Sequence, residues 1–195
     1  MRRPGSVPRP VSTGDRAPAA MTTNHDPGAM IRDATAADAA QIVDIYNHYI
    51  LHTVITFETA VVTAQEMAVR IADVQASFPW IVHETDGKID GYCYATRWRT
   101  RAAYRFAAET TVYLLPELAR RGLGTLLYNE LLKRLRAQGQ HVAIGGIALP
   151  NDASVGLHQR LGFVKVAHFP EVGWKFNRWI DVGYWQLTFD GGSGL

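Results

Sequence analysis

Between Ala107 and Gln138 the chain passes from an apolar run, through a glycine loop, into a leucine-striped segment. This strand–loop–helix unit constrains the fold more than any other stretch. Ala107–Leu114 reads as a strand ended by Pro116. Gly122–Gln138 reads as a helix with Leu123, Leu127, Leu131 and Leu135 on one face and Gly139 as its stop. The joint is Arg120-Arg121-Gly122-Leu123-Gly124-Thr125. The first N–H groups of a helix lack intrahelical acceptors and favour an anion. Glycines let the backbone approach a pyrophosphate closely, and two arginines add charge and hydrogen bonds. One reading is therefore a pyrophosphate cradle, and the other is a glycine turn flanked by solvated arginines. A dinucleotide fingerprint fits poorly because Leu127 stands where the third glycine belongs. The ATP-type loop is excluded, since no Gly-Lys-Ser/Thr follows.

The remaining elements surround this unit. Met30–Ala34 reads as a strand, followed by a helix that starts at Thr35 and carries Ile42, Ile45, Tyr46, Tyr49 and Ile50 at helical spacing. Thr63 caps a second helix. Trp80–Thr85 and Lys88–Thr96 form a hairpin about Asp86-Gly87. Val142–Leu149 is a buried strand, Asn151–Leu161 a short helix, and Phe163–Phe176 and Asp181–Phe189 two final strands. The order implies one α/β (α+β) domain with a mixed sheet, spanning residues 30–190. Residues 1–29 are rich in Pro, Gly, Ser, Thr and Ala and are expected to be a flexible extension, with 191–195 a frayed end. Arg2-Arg3 lacks the apolar segment of an export signal, so a cytoplasmic protein is expected. No apolar run reaches the roughly 20 residues of a membrane span. One cysteine, Cys93, excludes an internal disulfide framework. A formal charge of +2 does not by itself imply nucleic-acid binding.

Strand, Arg-Gly-x-Gly-Thr loop, helix, strand and then Asn151-x-x-Ser154-x-x-Leu157-His158-x-x-x-Gly162-Phe163 resembles the GNAT acyl-CoA N-acyltransferases. Tyr92–Trp98 with Ala103-Tyr104, Ala108–Tyr113, Leu149–Asp152 and Asp181–Leu187 resemble the phosphinothricin/methionine sulfoximine N-acetyltransferase branch. The resemblance runs from about Ile31 to Phe189. It implies a central sheet of about seven strands flanked by about four helices. It also implies direct acetyl transfer from acetyl-CoA to a small-molecule amine. One departure is Ala119, where the family's loop usually carries Gln or Arg; because the loop works mainly through backbone N–H groups, coenzyme binding is expected to survive there, with a lower affinity.

Acetyl transfer needs a neutral amine, a donor for the developing oxyanion and a proton for the leaving thiolate. The resemblance makes Glu109 the base and His158 the acid; the plain alternatives are a carboxylate paired with an arginine and a histidine packed on a helix. It assigns coenzyme binding to the backbone of Val112, Tyr113 and Leu114, to Arg120, Arg121, Gly122, Leu123, Gly124 and Thr125, and to Asn151, which also suits a helix N-cap. Cys93 is expected to be a small core residue. His48 and His52 are spaced for a metal, but no further ligands accompany them, so no metal is expected.

Arg97, Arg99, Arg101 and Arg105 interleave with Trp98, Tyr104 and Phe106 just before Glu109. Stacking rings among cations suit nucleic acid. Guanidinium groups also grip carboxylate and phosphinyl anions, and the place before Glu109 favours that acceptor pocket. By resemblance Arg99, Arg101 and Tyr104 contact the acceptor, Phe57 walls the pocket, and Lys175 with Trp174 lines it from the same or a partner subunit. A homodimer is expected, with neither nucleic acid nor membrane as partner. The competing readings are another amine or a protein N-terminus as acceptor, and a non-catalytic acyl-CoA sensor.

Overall fold

The computed structural model describes residues 28–189. The expected extension falls outside that range except for Gly28 and Ala29, and so does the expected frayed end. Ala29 already opens strand β1 (Ala29–Asp33). A 3-10 turn, Ala36–Asp38, leads into α1 (Ala39–His52), and α2 (Ala64–Gln75) follows. Thr63 caps α2 through its side chain, which accepts from the Glu66 N–H, while Glu66 reaches back to the Thr63 N–H.

Strands β2 (Trp80–Thr85) and β3 (Lys88–Arg97) meet at Asp86 and Gly87, both in the left-handed region at φ 50° and 81°. That is the backbone a two-residue hairpin matched to strand twist requires. Next come β4 (Ala107–Leu114), α3 (Leu123–Ala137), β5 (Val142–Leu149) and α4 (Asp152–Arg160). Strands β6 (Val164–Lys175) and β7 (Arg178–Thr188) end the domain. The turn comes earlier than the break expected between Phe176 and Asp181. The hairpin turns at Phe176 and Asn177, φ 51° and 56°, and Arg178, Trp179 and Ile180 continue the ladder. Only Asn177 among those turn residues is a familiar left-handed former, so the signal was weak.

The seven strands lie in the order β1-β2-β3-β4-β5-β7-β6, with only β4 and β5 parallel. Alternation along the strands separates two cores. Tyr92 and Tyr113 join Ile42, Ile45, Met67, Ile71 and Trp80 under α1 and α2. Cys93 joins Leu127, Leu131, Leu135, Phe163 and Trp185 under α3 and α4. Among the described residues no helix is long and apolar enough to cross a membrane.

The feature that creates a site is a splay in the middle of the sheet. Ala107–Glu109 pair with Val142–Ile144, and beyond that point β4 and β5 part. Strand β4 stays paired to β3 up to Leu114, and β5 stays paired to β7 up to Leu149. The facing edges beyond Glu109 and Ile144 are thus left without a strand between them. Thr110 Oγ1 donates to the Ile144 carbonyl at 3.1 Å just past the last pair.

Candidate active site

Thr110, Thr111, Val112, Tyr113, Tyr128, Gly146, Asn151, Ser154 and His158 all line the cleft between the parted strands. Glu109 is the last paired residue of β4, at the apex. Its carboxyl group is half-buried, and burial raises its pKa, with Arg99 pulling the other way. No hydrogen bond or ion pair to it is found among the described residues, so the plain reading of a carboxylate paired with an arginine does not describe it.

Two adjacent glycines in β5 make this geometry possible. A Cβ on Gly145 would lie 2.3 Å from His158 Nε2, and one on Gly146 would lie 3.3 Å from Glu109 Oε1. Each glycine therefore clears space for a candidate catalytic group on its own side of the sheet. The signal for this pair is in the sequence, since glycine inside a buried strand is itself a sign of close approach.

His158 is buried, at 3% exposure. Its Nδ1 lies 2.8 Å from the Ser154 carbonyl, and its Nε2 lies 2.9 Å from the Tyr128 hydroxyl. A carbonyl oxygen only accepts, so Nδ1 carries the proton and the neutral ring's Nε2 offers its lone pair to the Tyr128 hydroxyl, which has Thr110 Oγ1 at 3.2 Å as a second acceptor. Burial lowers the imidazole pKa, opposed by the Ser154 hydrogen bond. Burial also raises that of Tyr128, which stays protonated. Tyr128 was missed because it reads as one more large residue on the buried face of a leucine-rich helix.

The loop before α3 turns through Arg120 at φ 65° and Gly122 at φ 88°. Gly122 is the N-cap, and no side chain caps the helix. Its carbonyl accepts from Thr125 and Leu126, while the N–H groups of Arg120 to Gly124 reach no backbone acceptor among the described residues. Arg120 and Arg121 are exposed beside them. Unpaired N–H groups, a fifteen-residue helix behind them and two guanidinium groups suit a diphosphate. Gly124 also lets α3 approach α4, since a Cβ there would meet Leu157 at 3.2 Å. Asn151 caps α4, its Oδ1 accepting from the Ser154 N–H at 3.1 Å, and its amide N–H groups have no acceptor among the described residues.

The acceptor residues are less concentrated. The Arg99 guanidinium lies 4.4 Å from the centre of the Trp98 ring, and that ring meets Tyr184 edge-on. Arg101 precedes and Tyr104 ends an exposed 3-10 turn, Ala102–Tyr104, and neither lines the cleft. Phe57 packs over β6, where a Cβ on Gly173 would lie 2.3 Å from its ring. Lys175 is buried, and its Nζ donates to the Thr56 carbonyl at 2.8 Å. It pins the loop that carries Phe57 instead of presenting an open ammonium. Trp174 is exposed and packs edge-on against Trp179, away from the cleft. Cys93 is fully buried on the α3 side, its thiol pKa raised by that burial.

Comparison with known proteins identifies residues 31–183 as matching the acetyltransferase (GNAT) domain family. The chain is 42% identical over 160 residues to the phosphinothricin N-acetyltransferase of Streptomyces viridochromogenes, covering 82% of this chain and 87% of that protein. It is 38% identical over 161 residues to the L-methionine sulfoximine/L-methionine sulfone acetyltransferase of Salmonella typhimurium, covering 82% and 94%. The phosphinothricin acetyltransferase of Sinorhizobium meliloti, solved in complex with AcCoA, superimposes with a TM-score of 0.81 at 35% identity, covering 85% of this chain and 91% of that one.

Proposed function

This chain belongs to the GNAT acetyltransferase family and is an N-acetyltransferase, and from that premise we propose that it moves the acetyl group of acetyl-CoA to the amino group of a small amino acid or analogue of the phosphinothricin, methionine sulfoximine or methionine sulfone kind. The observation that carries this reading is Glu109, an unpaired, half-buried carboxylate at the apex of the cleft. The unpaired N–H groups of Arg120 to Gly124 follow the far end of the same strand.

The backbone of Arg120–Thr125 and the two guanidinium groups hold the coenzyme's diphosphate. The free edge of β4 at Val112–Leu114 receives its pantetheine arm as an added strand. Asn151 donates to it from the start of α4, and an N–H of the β4 edge polarises the thioester carbonyl. Arg99, Arg101 and Tyr104 bind the acceptor's carboxylate, and Phe57, held by Gly173 and Lys175, walls its site. Glu109 takes a proton from the ammonium group, directly or through water. Its raised pKa makes it a stronger base than an exposed glutamate. The amine nitrogen then bonds to the carbonyl carbon as the C–S bond breaks, and the Tyr128 hydroxyl, held by His158, gives its proton to the departing thiolate and regains one from solvent as the products leave. No enzyme thiol takes part, since Cys93 is fully buried in the core under α3 and α4. Val172, Trp174, Phe176 and Trp179 expose large apolar side chains around the β6–β7 hairpin, and we assign that face to contact with a second copy of the chain.

Thiol release on mixing acetyl-CoA with L-methionine sulfone, L-methionine sulfoximine or phosphinothricin tests the reading. Coenzyme binding without turnover on any amine would replace it with the acyl-CoA sensor.

A further inference from the structure

We infer that a second cavity, between α2 and strands β2 and β3, receives the side chain of the acceptor and selects a bulky neutral side chain over an acidic one. The inference rests on the reading of Glu109 as the base for an amino acid's amine. The cavity measures about 260 Å³ and lies on the α1–α2 side of the sheet. One of its lining residues, Thr96, sits directly opposite Glu109 in the β3–β4 ladder. Opposed residues project from the same face with Cβ atoms about 4.5–5.5 Å apart. The cavity therefore begins one side chain away from the carboxylate and runs back along β3 through Tyr94, the next residue on that face. An α-carbon is one bond from its amine, so an amino acid delivering its nitrogen to Glu109 has its side chain at the cavity's entrance.

The walls suit an apolar occupant. Trp80 and Tyr94 stack with ring centres 4.2 Å apart and planes 12° apart. Met67 and Val74 face them from α2. Flat aromatic surface opposite a flexible thioether accommodates long aliphatic or aromatic groups of varied shape.

The charges exclude an anionic tip. The single cation in the lining is Arg70, and Glu58 holds both of its terminal nitrogens, at 2.6 and 3.2 Å. Glu58 also accepts from the Tyr46 hydroxyl at 2.9 Å. Asp73 adds a carboxylate to the lining with no ion pair among the described residues. An acidic side chain would meet a neutralised arginine and an unpaired negative charge. Arg97, Arg99, Arg101 and Arg105, which form no ion pair among the described residues, come after Thr96, at the last residue of β3 and on the segment that leaves the sheet. One acceptor's carboxylate and side chain are thus met by opposite ends of this part of β3.

The test compares kcat/KM by thiol release for L-alanine, L-methionine sulfone and phosphinothricin. In the wild type, methionine sulfone should exceed phosphinothricin by about tenfold or more, the scale on which a pocket distinguishes side chains. Val74→Phe, which fills the cavity, should lower kcat/KM for methionine sulfone by about tenfold relative to L-alanine and leave the KM for acetyl-CoA unchanged. Val74→Ala, which enlarges the cavity and keeps the helix, should shift preference toward L-tryptophan. A wild-type preference for phosphinothricin, or equal effects of both variants on L-alanine and the larger acceptors, would overturn the pocket while the acetyltransferase reading stands. Absence of turnover on every amino acid would overturn both.

Discussion

The Tyr128 hydroxyl stands 2.9 Å from His158 Nε2, and the ring's other nitrogen is committed to the Ser154 carbonyl. The imidazole thus offers the cleft one uncommitted nitrogen, and that nitrogen faces the phenol. Tyr128→Phe should lower kcat by about tenfold or more and move the KM for acetyl-CoA little, because general-acid help contributes at the chemical step. Single-turnover kinetics would check this. An unchanged kcat would confine the hydroxyl to packing.

The buried imidazole also sets a pH response in stability. Its folded pKa is lowered, chiefly by burial, so the unfolded chain binds more protons as pH falls below the ordinary histidine range. The stability this group contributes is present above its unfolded pKa and is lost as pH falls through the folded one. His158→Gln should flatten the acid side of the Tm-against-pH curve.

Glu109 has the opposite sign. Its folded pKa is raised, mainly by burial, so its stability contribution is present below the unfolded value and is lost as pH rises through the folded one. Glu109→Gln should raise Tm at pH 8 more than at pH 4. The same change should lower kcat by about 10²-fold with coenzyme affinity retained, since a general base contributes on that scale. Thermal melts and kinetics on one protein sample would read both effects.

The arginines divide by distance from that carboxylate. Arg99 lowers the Glu109 pKa, so Arg99→Ala should move the acid limb of the kcat profile to higher pH. Arg101 stands on the exposed turn, and Arg101→Ala should raise the KM of the amino-acid acceptor more than that of acetyl-CoA. A steady-state pH series with each variant would separate the two roles.

Ala119 precedes the phosphate loop without a polar side chain. Ala119→Gln adds a donor beside the unpaired N–H groups and should tighten acetyl-CoA binding about two- to fivefold, an energy within the range of one net hydrogen bond. Calorimetric titration would measure it.

The order of strands and helices was legible along the chain because each element carries its own local pattern. Asp86-Gly87 fixed the hairpin, Thr63 and Glu66 fixed a helix start, and the leucine stripe fixed α3. The glycine loop before α3 pointed to an anion for the same reason, since a helix N-terminus needs no distant residue to leave its N–H groups unpaired. What the tertiary structure alone decided depends on parts far apart in sequence. Pairing of β4 with β5 stops at Glu109 and Ile144, and that opened the cleft. Gly145 was needed before His158 could lie against the strand, and Tyr128 met His158 only when α3 and α4 packed on one face. Lys175 reached Thr56 across 119 residues and became a prop for the acceptor loop. Local propensity is written residue by residue, whereas the separation of two strands and the company of a buried polar atom are settled only when the sheet closes over its helices.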